Sequence, residues 1–145
     1  MIVVDSSAVI AIFRQEEDAE VYAGSIAADD DPVMSAANLV ETSIVLRGLK
    51  KIAPETAERW LDDFMKAAGI RIEPVTPDQA QTARSAHLKF GKGTGHSAAL
   101  NYGDCFAYAL AKAMDAPLLC KGNDFPLTDD AHWRTHLCFN RKDFE

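Results

Sequence analysis

Cysteine is sparse in this chain and forms no motif. Cys105, Cys120 and Cys138 are odd in number and sit beside apolar residues. They read as reduced core or helix-face thiols, which suits a reducing, cytosolic setting. Long apolar runs are missing as well. The opening MIVVDSSAVIAIF is interrupted by Asp5, is too short to span a bilayer, and lacks the basic flank of a signal peptide. A cytoplasmic protein with no membrane contact is therefore expected. Positive charge is in deficit, with 15 Lys and Arg against 22 Asp and Glu and a net charge of -7. That balance argues against a general nucleic-acid coat protein, whose affinity comes from neutralising phosphates. It leaves room for an enzyme whose acids hold metal while a few basic side chains touch a substrate backbone. It also invites a basic protein partner. No repeat, domain-scale linker or low-complexity segment interrupts the chain.

What is present suits one domain over residues 1–145. Hydrophobic residues make up 48% of the 145, enough for a real core, and the 26% of charged residues is too mixed for disorder. IVVD (2–5) is a short apolar run ending in an acid, after which Ser6 or Ser7 can cap a helix carrying Val9, Ile10 and Phe13. Helical segments are also expected at 16–28, 36–48, 54–69, 76–90 and 104–115, several bounded by Pro at the start or Gly at the end. In the third of these helices, Ala57, Trp60, Leu61 and Phe64 have the spacing of a core-facing stripe. Strands are expected at PVMSA, GIRIEPV and PLLC, with a weaker one at RTHLCF. Helices alternating with short apolar runs predict an α/β fold with a mostly parallel sheet.

Four acids stand where those strands meet helices: Asp5 in VVDSS, Glu41 in NLVETS, Asp104 in NYGDCF and Asp124 in KGNDFP. In a parallel sheet, strand C-termini and the following helix N-termini share one edge, where such folds place their chemistry. Acids gathered there would raise one another's pKa unless a cation offset the repulsion. An all-oxygen set, without His or Cys at ligand spacing, favours Mg²⁺ or Mn²⁺ over zinc. Such a site suits phosphodiester hydrolysis, with metal-activated water attacking in line and metal stabilising the charge that develops. Ser6 and Asn123 flank two of the acids and can hold water or a phosphate oxygen. The competing interpretation is that each acid is an ordinary helix cap or surface charge.

These residues resemble the PIN-domain ribonucleases, and most closely the VapC toxins of toxin–antitoxin modules. The resemblance runs through IVVDSSAVIAI, ANLVETSIVL, HSAALNYGDCFAYALAKAMDAPLLCKGNDF and the closing Thr128–Asp129. By that resemblance Asp5, Glu41 and Asp104 match the acidic catalytic residues, Asp124 the fourth acid and Ser6 the hydroxyl residue after the first. Asn123 and Asp129 would be supports. The resemblance implies a three-layer α/β/α PIN-like domain with a four- or five-stranded sheet, and Mg²⁺- or Mn²⁺-dependent endoribonuclease activity. It also implies a homodimer, or a hetero-oligomer with a VapB-like antitoxin that can place a basic side chain in the acidic site. Relatives often carry a basic residue just before the His–Ala stretch, where this chain has Thr94 and Gly95. RNA contacts are therefore expected from Lys89, Lys92 and His96, and from Arg47 after the Glu41 helix.

Other signals lead elsewhere. FGKGTGH fits neither phosphate-loop pattern and follows a helix rather than a strand. His132 and His136, four apart with Asp129 nearby, read as surface or packing residues rather than a zinc site. A phosphatase with an aspartyl nucleophile needs a second Asp two residues after the first, where this chain has Ser7. A structure-specific DNA nuclease of the same fold and a non-catalytic RNA-binding module are the remaining alternatives.

Overall fold

The computed structural model describes residues 1–122 and 127–128, and the backbone of residues 137–139. Asn123, Asp124, Asp129, His132 and His136 lie outside the described residues. Five strands form one sheet: β1 (Ile2–Val4), β2 (Pro32–Ser35), β3 (Arg71–Glu73), β4 (Leu118–Lys121) and β5 (Leu137–Phe139). Their order is β3-β2-β1-β4-β5, and every pairing is parallel. The helices are α1 (Ser6–Phe13), α2 (Ala19–Ala28), α3 (Ala36–Arg47), α4 (Pro54–Ala68), α5 (Pro77–Phe90) and α6 (Tyr102–Met114). The expected α/β architecture is therefore found, with five strands and no antiparallel pair among the described residues.

Local chemistry accounts for the boundaries. The side chains of Asp5, Ser35, Thr76 and Asn101 each accept a backbone N–H and cap α1, α3, α5 and α6. Pro54 and Pro77 open α4 and α5, where a missing N–H costs nothing. Gly69 ends α4 at φ 66°, a left-handed conformation that side chains resist. Alternation along the strands then sorts the core into two layers. Val3, Val33, Leu118 and Cys120 face α5 and α6, packing with Phe90, Tyr108 and Leu110. Ile2, Val4, Met34 and Leu119 face α1 to α4, packing with Val9, Tyr22 and Leu61. The stripe expected on α4 is real: Ala57 and Leu61 are buried, and Trp60 stacks on Phe64 while meeting Phe13 edge-on.

One expectation needs correction. Cys105 is a buried free thiol, as foreseen, but Cys120 is disulfide-bonded rather than reduced. Parallel pairing sets Cys120 opposite Cys138 in the β4–β5 register, a proximity that residue spacing alone does not reveal. On α3, the apolar Ile44 is 56% exposed. The α3 face that packs inward carries Asn38, Thr42 and Leu46, two of them polar.

The chain winds from β1 outward to β3, then returns through α5 and α6 to β4 on the other side of β1. This reversal puts the topological switch point at the carboxyl end of β1, where parallel α/β sheets commonly bind ligands. Helices from the two outer layers, α3 and α6, meet across that edge.

Candidate active site

Asp5 follows the last residue of β1 and is still held to the sheet, its N–H donating to Leu119 O at 2.9 Å. The side chain is 3% exposed. Oδ2 accepts the Ser7 N–H at 3.0 Å and so caps α1, while Oδ1 is buried with no hydrogen-bond partner. Burial pushes the Asp5 carboxyl up from an ordinary 3.8 to about 6; hydrogen bonds from Ser7 pull it down, and the charge of Glu41 pushes it up again. One buried acid with an orphaned oxygen, repelled by a second, is a site built at the expense of stability.

Glu41 projects from the second turn of α3. Its Oε1 accepts from Asn38 Nδ2 at 3.3 Å, one turn earlier on the same face. The carboxylate lies so close to Gly103 that a Cβ built there would collide with it. Glycine at 103 thus leaves the Glu41 carboxylate where it is; any side chain there would have to push it aside. Its neighbour Asp104 closes a capping box at the start of α6: Asp104 N donates to Asn101 Oδ1 at 2.8 Å, and Asn101 N donates to Asp104 Oδ2 at 2.9 Å. The helix-cap alternative is correct for one oxygen of Asp5 and of Asp104. It does not account for the orphaned Oδ1 or the Asp5–Glu41 repulsion.

The fold therefore brings Asp5 within electrostatic reach of Glu41, and Glu41 against the residue preceding Asp104. Among the described residues no three acidic, His or Cys side chains form a group that could hold a metal ion, and the fourth acid, Asp124, lies outside them. Ser6 is buried and donates to Asn38 O at 3.1 Å, so its hydroxyl braces the site. Lys92 N donates to Leu100 O at 2.7 Å, which sets the base of the Gly-rich loop just before the Asn101 cap. His96 is fixed in that loop, accepting the Ala98 N–H on Nδ1 and standing edge-on to Phe90. Lys89 instead shares a groove with Tyr108 and Lys112, further along α6. Arg47 lies at the far end of α3 and pairs with Glu58 at 3.1 Å.

A PIN-domain family model matches residues 2–131. Ribonuclease VapC28 of Mycobacterium tuberculosis is 47% identical over 123 residues, covering 85% of this chain and 90% of that protein. The chain belongs to the PIN-domain family, among the VapC ribonucleases. The PIN fold is seen again in a crystal structure of Mycobacterium tuberculosis VapC20, described as a sarcin–ricin loop cleaving toxin. It superposes with a TM-score of 0.68 at 17% identity, over 87% of this chain and 93% of that one. A toxin–antitoxin complex from Klebsiella pneumoniae gives 0.63 at 14% identity, over 86% and 90%.

Two residues of this PIN site escaped the sequence reading. Asn38 stands three before Glu41, a spacing that puts both on one helix face. Gly103 precedes Asp104 and falls inside α6, which starts at Tyr102, two residues earlier than expected, where glycine is costly enough to demand a reason. Both signals were in the sequence, but neither indicates a partner until α3 and α6 are set side by side.

Proposed function

We propose that this chain is the endoribonuclease toxin of a toxin–antitoxin pair, hydrolysing RNA at Asp5, Glu41, Asp104 and Asp124 with Mg²⁺ or Mn²⁺, in the cytoplasm. The observation that carries the proposal is Asp5: a buried carboxylate with one unpartnered oxygen, repelled by Glu41, at the switch point of a parallel sheet. The donor chemistry fits a hard cation, because every candidate ligand is a carboxylate and the orphaned Oδ1 lacks the partner that a cation would supply. Asp5 and Glu41 would hold the ion, with Asp104 and Asp124 completing the set. When bound, the cation lowers the pKa of water and offsets charge on the scissile phosphate.

The chain's own groups do the rest. Asn38 keeps Glu41 turned toward Gly103, Asn101 fixes the Asp104 carboxylate, and the Ser6 hydroxyl braces α1 against α3. Lys92 and His96, on the loop entering α6, would meet RNA phosphates, with Lys89 and Arg47 as outer contacts. Support for RNA comes from relatives named ribonucleases. Support for an antitoxin comes from the fold shared with a toxin–antitoxin complex and from the net charge of -7, which suits a basic partner segment.

A homodimer is part of the same reading. Val40 and Ile44 on α3, Tyr102 on α6 and Leu88 on α5 are 58, 56, 79 and 78% exposed. They line two adjoining grooves of about 400 and 550 Å³ beside the acids. Such an apolar band suits a second copy; Ile44→Glu should convert a dimer to a monomer in sedimentation velocity.

The deciding experiment incubates antitoxin-free protein with cellular RNA and with single-stranded DNA, in Mn²⁺ and in chelator. RNA cleavage with metal, lost in chelator and in Asp5→Asn or Asp104→Asn, is expected. Cleavage that survives both substitutions or full chelation sinks the mechanism, and cleavage of DNA alone favours the DNA-nuclease alternative.

A further inference from the structure

Asn38 is fully buried in α3, and every polar atom it presents is directed toward the acid-bearing elements or left unpaired. Its Nδ2 donates to Glu41 Oε1 at 3.3 Å and to Gly103 O at 3.0 Å, the carbonyl immediately before Asp104. Its backbone O accepts from Ser6 Oγ at 3.1 Å, immediately after Asp5, and from Thr42 Oγ1 at 2.7 Å. Its Oδ1 is buried with no hydrogen-bond partner. One residue is thus bonded to one of the three acids and to the chain neighbours of the other two.

Packing alone does not call for this residue. A buried amide with an unpaired acceptor is costly, and Asn is a poor residue for a helix interior. An apolar side chain of similar size would join α3 to α6 without either penalty. What it would lack is a pair of N–H donors aimed at two different helices. Glu41 comes from the layer of α1 to α4 and Asp104 from the layer of α5 and α6, and no strand joins those layers at the site edge. Gly103 leaves room for the Glu41 carboxylate beside the carbonyl that the amide reaches.

We propose that Asn38 is the positioning residue of the acidic site, its amide holding Glu41 at a fixed spacing from Asp104 and its carbonyl tying Ser6, and with it Asp5, to the same helix. This rests on reading the acids as a metal-dependent catalytic set. Residues that orient metal ligands without touching the metal typically contribute about 10- to 100-fold in affinity or activity, and Asn38 belongs in that range.

The test compares wild type with Asn38→Leu, Asn38→Ser and Thr42→Val. Mn²⁺ binding is read by calorimetry, and RNA cleavage is resolved into kcat and KM. Asn38→Leu keeps the branched heavy-atom outline but removes both donors. It should leave circular dichroism native, weaken Mn²⁺ binding and lower kcat by about 10- to 100-fold, and leave KM near wild type. Asn38→Ser, which keeps one short donor, should fall between. Thr42→Val removes a buried hydroxyl bonded to the same carbonyl and should change neither Mn²⁺ binding nor kcat. Wild-type Mn²⁺ binding and kcat in Asn38→Leu overturn the positioning role, and so does an equal loss in Thr42→Val, which would make the effect one of general packing. Should Asn38→Leu fail to fold, Asn38→Ser carries the same comparison. Wild-type protein that neither binds Mn²⁺ nor cuts RNA overturns the catalytic reading itself, and with it the role given to Asn38.

Discussion

Along the first strand Ile2, Val3 and Val4 are buried among apolar neighbours from both layers, and the next two residues, Asp5 and Ser6, are buried just as deeply among polar ones. Ile2, Asp5 and Ser6 share the same 3% exposure, so burial does not distinguish the regions. Their energetics do. An apolar side chain withdrawn from water stabilises the fold by about 1.5–3 kcal/mol. The upward shift of Asp5 from 3.8 to about 6 corresponds to a cost of about 3 kcal/mol once the group must ionise. One carboxylate therefore offsets roughly one core side chain. The core spends its burial on stability, and the adjoining turn spends the same burial on charge held where water cannot screen it.

That contrast can be broken from either side. The largest effect is expected in the core. Leu110 on α6 is fully buried, and Leu110→Ala should destabilise the protein by about 2–5 kcal/mol in denaturant unfolding. Cleavage per folded molecule should stay near wild type, because Leu110 packs within the apolar cluster of Phe90 and Tyr108. Asp5→Asn should act in the opposite direction. The folded-state pKa lies above the unfolded one, so the native state binds the extra proton, and wild-type stability falls as pH rises from about 4 to about 6. Asn keeps the α1 cap without the charge. In chelator near neutral pH the variant should therefore be more stable by about 3 kcal/mol, an advantage that disappears below about pH 4, while cleavage is lost. An unfolding series across that range checks it, and a variant less stable than wild type near neutral pH would contradict the cost assigned to Asp5.

Gly103→Ala tests the contact between the layers. Alanine is the better helix former, yet its Cβ would displace the Glu41 carboxylate. Cleavage should fall by about 10- to 100-fold with little change in unfolding midpoint. The smallest effect belongs to the surface. Arg47 pairs with Glu58 on exposed side chains, so Arg47→Ala should cost under about 1 kcal/mol, less in high salt. A larger loss of RNA affinity than of stability would assign Arg47 to the substrate.

Much of the fold was legible before any coordinates. Strand and helix periodicities, the Pro residues that open α4 and α5, and Gly69 all report local backbone preferences, and those elements lie within two residues of their expected bounds, except that α2 and β5 start three residues later. The junction placement of Asp5, Glu41 and Asp104 was equally legible, because a parallel sheet puts strand ends and helix starts on one edge. The polar inward face of α3 was not legible, because that helix contacts two layers and Asn38 takes an inward position that an apolar residue would otherwise fill. Cys120 was misjudged because a disulfide depends on strand register, which three isolated cysteines do not encode locally.

By itself, then, the sequence determined which residues form strands and helices and which acids stand at their junctions, since those follow from periodicity, caps and short-range sterics. The tertiary structure alone decided that Asp5 is buried with an orphaned oxygen, that Glu41 rests against Gly103, and that Asn38 joins the three acid-bearing helices. Those contacts span separations of up to 65 residues. Such distances are settled only when the layers close on the sheet, because no local preference reaches that far.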